Sequence, residues 1–287
     1  MANNVCLFIK PFRDSDGANG NPLANEVITD LYRIGCTVNR VKLVNLTPKM
    51  LIRHYDELMR EGRERIVYDM VGDYVSRELS EKLLAGGTLT DAEMNTQGRP
   101  VVVMDLNLPE TITHFTDVRD DLVQKQDRPT MVVKGSIENF RKFVVGPTMM
   151  RSYFQMVDKI AKDNPGMELG AIYTEAMNQY IPASNSVRYK YQYTGEGAKT
   201  SFNVMHCSAN ETDRDFELGN FFGEWANEGT MLDANKFNAF YTERANTTTQ
   251  IPQILLNAKI ANGDLDSYFR AEDFALETPV ADDVVSE

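Results

Sequence analysis

Asn203-Val204-Met205-His206-Cys207-Ser208, followed by Glu217 and the aromatic pair Phe221-Phe222, is the stretch on which the fold and the chemistry turn. Phe202 to Met205 reads as a short apolar strand that leads into His206. Asp213 to Trp225 carries Phe216, Phe221 and Phe222 and reads as the next helix, with these rings on its core side. A histidine at a strand end points out of the sheet toward a cleft. A glutamate eleven residues later, on the following helix, can fold back onto one ring nitrogen and fix tautomer and orientation, as a nucleophilic or basic histidine requires. The Ser208 hydroxyl can donate to the same glutamate or to a bound phosphate.

Working outward, Val5 to Ile9 is a buried-strand pattern closed by Lys10-Pro11. A turn cluster runs from Asp14 to Pro22. Leu23, Val27, Ile28, Leu31 and Ile34 then recur at helical spacing, and Gly35 stands where such a helix would stop. Val38 to Val44 predicts a second strand. Thr47-Pro48 is an N-cap followed by proline at N1, opening a helix through Leu51, Tyr55 and Leu58. From Glu61 to Arg128 helical periodicity over 67–84 gives way to a strand at Val101 to Met104. Thr130 to Val133 predicts a strand, Ile137 to Val145 a helix, and Gly146-Pro147-Thr148 a sharp stop. Residues 151–180 read as two amphipathic helical pieces broken at Asn164-Pro165-Gly166, expected beside the cleft. Arg188 to Tyr193 alternates as a strand would. The coarse order is βαβα, an insertion at about 61–128, βα, a second insertion at about 149–187, then βα. That order implies helices packed on one sheet. Residues 1–228 form the expected domain, and 229–287 an extension with an acidic end expected to be disordered.

The 287 residues carry 42 acidic and 30 basic side chains, a formal charge of -12. That balance argues against nucleic acid as a partner and against an anionic membrane surface, while leaving room for a local basic phosphate site. No apolar run reaches the ~20 residues of a membrane span. Three widely spaced cysteines, Cys6, Cys36 and Cys207, match neither a zinc framework nor a disulfide framework. With no signal-peptide pattern at the start, the expected location is the cytoplasm. Of the three histidines, His54 and His114 read as ordinary polar residues, and only His206 has chemical company.

The combination of His206, Asn203, Ser208, Glu217 and Phe221-Phe222 resembles the active-site signature of nucleoside diphosphate kinases. Ile9-Lys10-Pro11, His54-Tyr55 with Leu58, Arg141-Lys142, Gly146-Pro147-Thr148 and Val187-Arg188 resemble further family motifs, in the same chain order. The resemblance covers about half of the chain. It implies an α+β, ferredoxin-like fold: a four-stranded, mostly antiparallel sheet with helices on one face, decorated by helical insertions. It implies phosphoryl transfer from a nucleoside triphosphate to a nucleoside diphosphate through a phosphohistidine on His206, with Glu217 and Ser208 as its catalytic partners. Tyr55, Lys142, Thr148 and Arg188 would contact phosphates, and Lys10 and Asn203 the ribose. Mg²⁺ would bridge the phosphates with few protein ligands, and the chain would form a homo-oligomer.

Departures from the family pattern are Cys207 for glycine, Ala209 for aspartate, Phe202 for arginine and Lys142 for a phosphate-binding arginine. The base-stacking phenylalanine falls on Arg63, with Tyr68, Tyr74 and Arg63 as substitutes. Two other readings stay open. One is a nucleotide-binding or structural module on the same fold that has lost turnover; the other is phosphoryl transfer from His206 to a protein.

Overall fold

The computed structural model describes residues 3–11, 23–115, 130–146, 157–172, 175, 187, 191, 204–249 and 269–276. It is an α+β structure built on a five-stranded antiparallel sheet. The strands are β1 (Asn4–Ile9), β2 (Thr37–Asn45), β3 (Pro100–Asn107), β6 (Met205–Cys207) and β7 (Thr230–Leu232), in spatial order β6-β1-β3-β2-β7. Two more strands, β4 (Thr111–Phe115) and β5 (Thr130–Lys134), pair only with each other.

Both faces of the sheet are covered, because β1 is apolar over Val5–Ile9 and β3 over Val101–Met104, and alternate side chains point to opposite sides. Val5, Leu7 and Ile9 of β1 join Val102, Met104 and Leu106 of β3 on one face. There they pack against α1 (Ala24–Arg33), through Val27, Ile28 and Leu31, and against α9 (Ala234–Thr247), through Phe237 and Tyr241. Cys6 and Phe8 join Val101 and Val103 on the other face. That side is closed by α2 (Pro48–His54), α4 (Glu64–Tyr74), α5 (Arg77–Leu84) and α8 (Glu211–Gly219). The expectation of helices on one face is therefore corrected.

Local signals behave as their chemistry requires. Gly35 (φ 90°) follows α1 in a conformation that favours glycine. The Thr47 side chain accepts from Met50 N–H at 3.2 Å, with Pro48 at the first helical position. The helix expected through Leu58 breaks at Tyr55, and α3 (Asp56–Arg60) starts anew. The periodic run 67–84 also splits, since the Ser76 side chain caps α5, and the short α6 (Asp91–Met94) follows before β3.

Larger differences concern which strands meet. The central strand β3 lies inside 61–128, the stretch read as the first insertion, whereas Thr130 to Lys134 belongs to the separate hairpin. A fifth strand comes from the C-terminal extension. Leu232, Phe237, Tyr241 and Phe274 are all buried in the core on the α1 face, so this extension is part of the folded unit.

Residues 157–163 and 169–172 are helical on either side of the Pro165-Gly166 break, and Val157, Ile160 and Ile172 form a small cluster of their own. Of the strand expected at 188–193 only Tyr191 lies among the described residues; its N–H donates to Val187 O at 3.0 Å. Val187 and Tyr191 pack on the α1 face, opposite His206. The Asp14 to Pro22 turn and the acidic end lie outside the described residues. Among the described residues no helix is long and apolar enough to cross a membrane.

Candidate active site

His206 lies in β6, an edge strand, directly opposite Phe8 of β1. The two rings stack at 4.8 Å between centroids. Its neighbours Met205 and Cys207 point into the core on the α1 face, so His206 and Ser208, two residues apart, point to the other. The helix that follows, α8, packs on that second face and brings Glu217 over both.

His206 Nε2–H donates to Glu217 Oε1 at 2.7 Å. Ser208 Oγ–H donates to Glu217 Oε2 at 2.7 Å and accepts from Cys6 N–H at 3.0 Å. The relay proposed from the spacing thus closes in three dimensions: serine holds the carboxylate, and the carboxylate holds the imidazole. Burial pushes the Glu217 carboxyl above its ordinary pKa, opposed by His54, by the Ser208 hydrogen bond and by the Arg141 charge.

With Nε2 engaged, the remaining ring nitrogen of His206 is Nδ1, and Tyr55 Oη lies 3.4 Å from it. Tyr55 reaches it because it stands in the break between α2 and α3, off the helical path. Lys10 is buried at the end of β1, its backbone N–H bonded to Val204 O at 2.9 Å. Its charge is felt at His54, on the same side of the sheet.

His54 is the member that the sequence did not single out. Its Nε2 lies 3.2 Å from His206 Nε2 and 3.7 Å from Glu217 Oε1. Burial, with smaller contributions from His206 and Lys10 and against the pull of Glu217, lowers its pKa to about 3, so it is neutral near pH 7. Its only sequence signal was the pairing with Tyr55 at the end of a helix.

Of the pair Arg141-Lys142, Arg141 is the one that reaches the site, while Lys142 is exposed and lies over the Phe143 ring. Arg141 Nη1 donates to Ala209 O at 3.2 Å, its Nε is buried with no partner, and its charge opposes the burial that raises the pKa of both Glu217 and Asp213. The short helix α7 (Ile137–Asn139) runs on as a π-helical segment, Phe140–Val145, which ends at Gly146 (φ 82°). Such a segment turns more slowly than an α-helix and changes which side chain faces the sheet edge.

Phe221, the first of the aromatic pair, is buried between Phe8 and His54, with ring centroids at 5.9 and 5.4 Å. Phe222 lies under the Arg40 guanidinium. Behind them Lys42, fully buried on β2, donates to Phe221 O (3.2 Å), Trp225 O (2.8 Å) and Ala226 O (3.3 Å), which ties the end of this helix to the sheet. Of the substitutes for the base clamp, Tyr74 is buried in the core and Arg63 is exposed and paired with Glu61. Thr148, Arg188 and Asn203 lie outside the described residues.

Comparison with family models, with curated proteins and with solved structures finds no match to this chain.

Proposed function

We propose that this protein transfers phosphoryl groups through His206, taking them from a nucleoside triphosphate and passing them to a nucleoside diphosphate. One observation carries the reading: Glu217, itself held by Ser208, occupies His206 Nε2, which leaves the Nδ1 lone pair as nucleophile beside the Tyr55 hydroxyl. In the forward half-reaction Nδ1 attacks the γ-phosphorus, the bond to the bridging oxygen breaks, and the nucleoside diphosphate leaves. The reverse attack by a second diphosphate regenerates His206. Such transfer depends on positioning and charge neutralisation. Arg141 and Lys10 supply positive charge, and Tyr55 a hydroxyl.

Mg²⁺ enters this reading on the nucleotide phosphates. It takes oxygen ligands in octahedral geometry, and the two imidazole nitrogens and single carboxylate oxygen that converge here do not fit it. For the fold, the order β6-β1-β3-β2 with neighbours antiparallel is the arrangement of a ferredoxin-like sheet, and we read β7 as an added edge strand.

The test is incubation of the full chain with γ-labelled ATP and Mg²⁺. An acid-labile label on the protein is expected, discharged by a second nucleoside diphosphate. His206→Ala should abolish it, and Glu217→Gln should slow it by ~10²-fold. Undiminished labelling of His206→Ala would sink the mechanism. Nucleotide binding without label would leave the binding module, and label that passes only to another protein would favour that acceptor.

A further inference from the structure

His54 Nε2, His206 Nε2 and Glu217 Oε1 face one another at 3.2, 2.7 and 3.7 Å, two imidazoles from different parts of the chain and one carboxylate on a third element. In a tetrahedral site with bonds of about 2.0–2.1 Å the ligand atoms stand about 3.3 Å apart, and the three separations bracket that edge. We propose that these three groups form a site for a borderline-soft divalent ion of the Zn²⁺ class, and that its occupancy switches off phosphoryl transfer.

Three features of the site support this. First, the ligands are held from behind. Ser208 grips Glu217 Oε2 and leaves Oε1 forward, and Tyr55 Oη stands 3.4 Å from His206 Nδ1. Outer partners of this kind orient metal ligands and sustain affinity. Second, the free site already imposes on His54 the tautomer that a metal needs. With the His206 Nε2–H directed at Glu217, His54 Nε2 faces that N–H with its lone pair, so the His54 proton sits on Nδ1. That atom is buried without a hydrogen-bond partner, so nothing at Nδ1 stabilises the arrangement; it is dictated from the Nε2 side. Third, two imidazoles and one carboxylate suit Zn²⁺ far better than Mg²⁺ or Ca²⁺. His54 is enclosed, whereas His206 keeps 16% of its side chain exposed, so the ion enters past His206.

The switch follows from proton placement. A neutral imidazole bound to metal through Nε2 carries its proton on Nδ1, which then has no lone pair to offer phosphorus. Glu217 becomes a ligand and no longer accepts the Nε2 proton. This inhibitory consequence rests on His206 as the phosphoryl carrier; the binding of the ion does not.

The experiment titrates the chelator-treated full chain with Co²⁺ and then Zn²⁺. One Co²⁺ per chain with the intense visible absorption of four- or five-coordination, displaced by one equivalent of Zn²⁺, is expected. His54→Gln should weaken Zn²⁺ binding by at least ~100-fold. Ser208→Ala, which removes no ligand, should weaken it by roughly 10–100-fold, and His114→Ala should leave it unchanged. A weak six-coordinate Co²⁺ spectrum in the unmutated chain, or Zn²⁺ affinity indifferent to folded His54→Gln, would overturn the site. A chain that binds Zn²⁺ in this way but never accepts label loses the carrier role and keeps the metal site. Labelling undiminished at saturating Zn²⁺ would overturn the switch.

Discussion

The His54 ring is enclosed by Phe8, Tyr55, Phe221 and His206, so a proton on it has no water to meet. Its pKa of about 3 against an ordinary 6.5 is a statement about stability. Above pH 6.5 neither the folded nor the unfolded chain protonates this ring, and His54 adds no pH dependence. As pH falls below 6.5 the unfolded chain takes up a proton that the folded chain refuses. Stability is therefore lost toward pH 3, by up to about 1.4 kcal/mol per pH unit. Glu217 has the opposite sign: its pKa is raised on folding from 4.5, so its contribution is full below 4.5 and fades as pH rises through the folded value. Urea unfolding in chelator at pH 7, 6 and 5 should show a stability loss toward acid that is flatter in His54→Gln. Equal slopes in the two proteins would count against the enclosed, neutral His54.

Among the elements, α8 does the positioning, and it is fastened at both ends. Asn210 caps its start by accepting from Asp213 N–H at 2.9 Å. Its continuation, a π-helical turn over Asn220–Glu224, ends on the Lys42 ammonium, which three carbonyls share. Burial lowers the Lys42 pKa, the Glu228 charge opposes that shift, and the three bonds to carbonyls offset the desolvation of the ammonium. Lys42→Met keeps the apolar stem and removes the donor. It should cost about 1–3 kcal/mol in urea unfolding, with Glu217 less firmly held and the proposed phosphoryl transfer slower. A variant as stable as the parent would show that the lysine fills space without anchoring the helix.

On the scale of the whole molecule, the C-terminal extension closes the core on the face opposite His206. Phe237 and Tyr241 of α9 are fully buried, Tyr241 Oη–H donates to Asn25 Oδ1 at 2.6 Å, and Arg244 pairs with Glu26 at 2.5 Å. Asn238 takes the place of a missing strand neighbour at the irregular step between Val38 and Arg40, accepting from Val38 N–H at 2.9 Å and donating to Val38 O at 3.0 Å. Burying each large apolar side chain is worth about 1.5–3 kcal/mol, so Leu232, Phe237 and Tyr241 together approach the ~5–15 kcal/mol of a typical domain. A chain ending at residue 228 should therefore lack a cooperative thermal transition and be cleaved rapidly by protease. A truncated chain that melts with an unchanged midpoint would mean that 229–287 is a separable appendage.

The elements whose formation depends on near neighbours were legible from the sequence: β1, α1 with its Gly35 stop, β2, the Thr47-Pro48 start of α2, and the His206–Ser208–Glu217 relay. Each rests on periodicity, capping chemistry or a spacing that one strand and one helix convert directly into proximity. Tertiary structure alone decided that β3 and not β5 completes the sheet, that β7 joins it, that helices cover both faces, and that Arg141 in place of Lys142 reaches the site. The same is true of His54, 152 residues from His206 in sequence and 3.2 Å from it in space. Pairing partners and cross-chain contacts depend on which surfaces remain to be buried once local elements have formed. No pattern within a single segment encodes that competition.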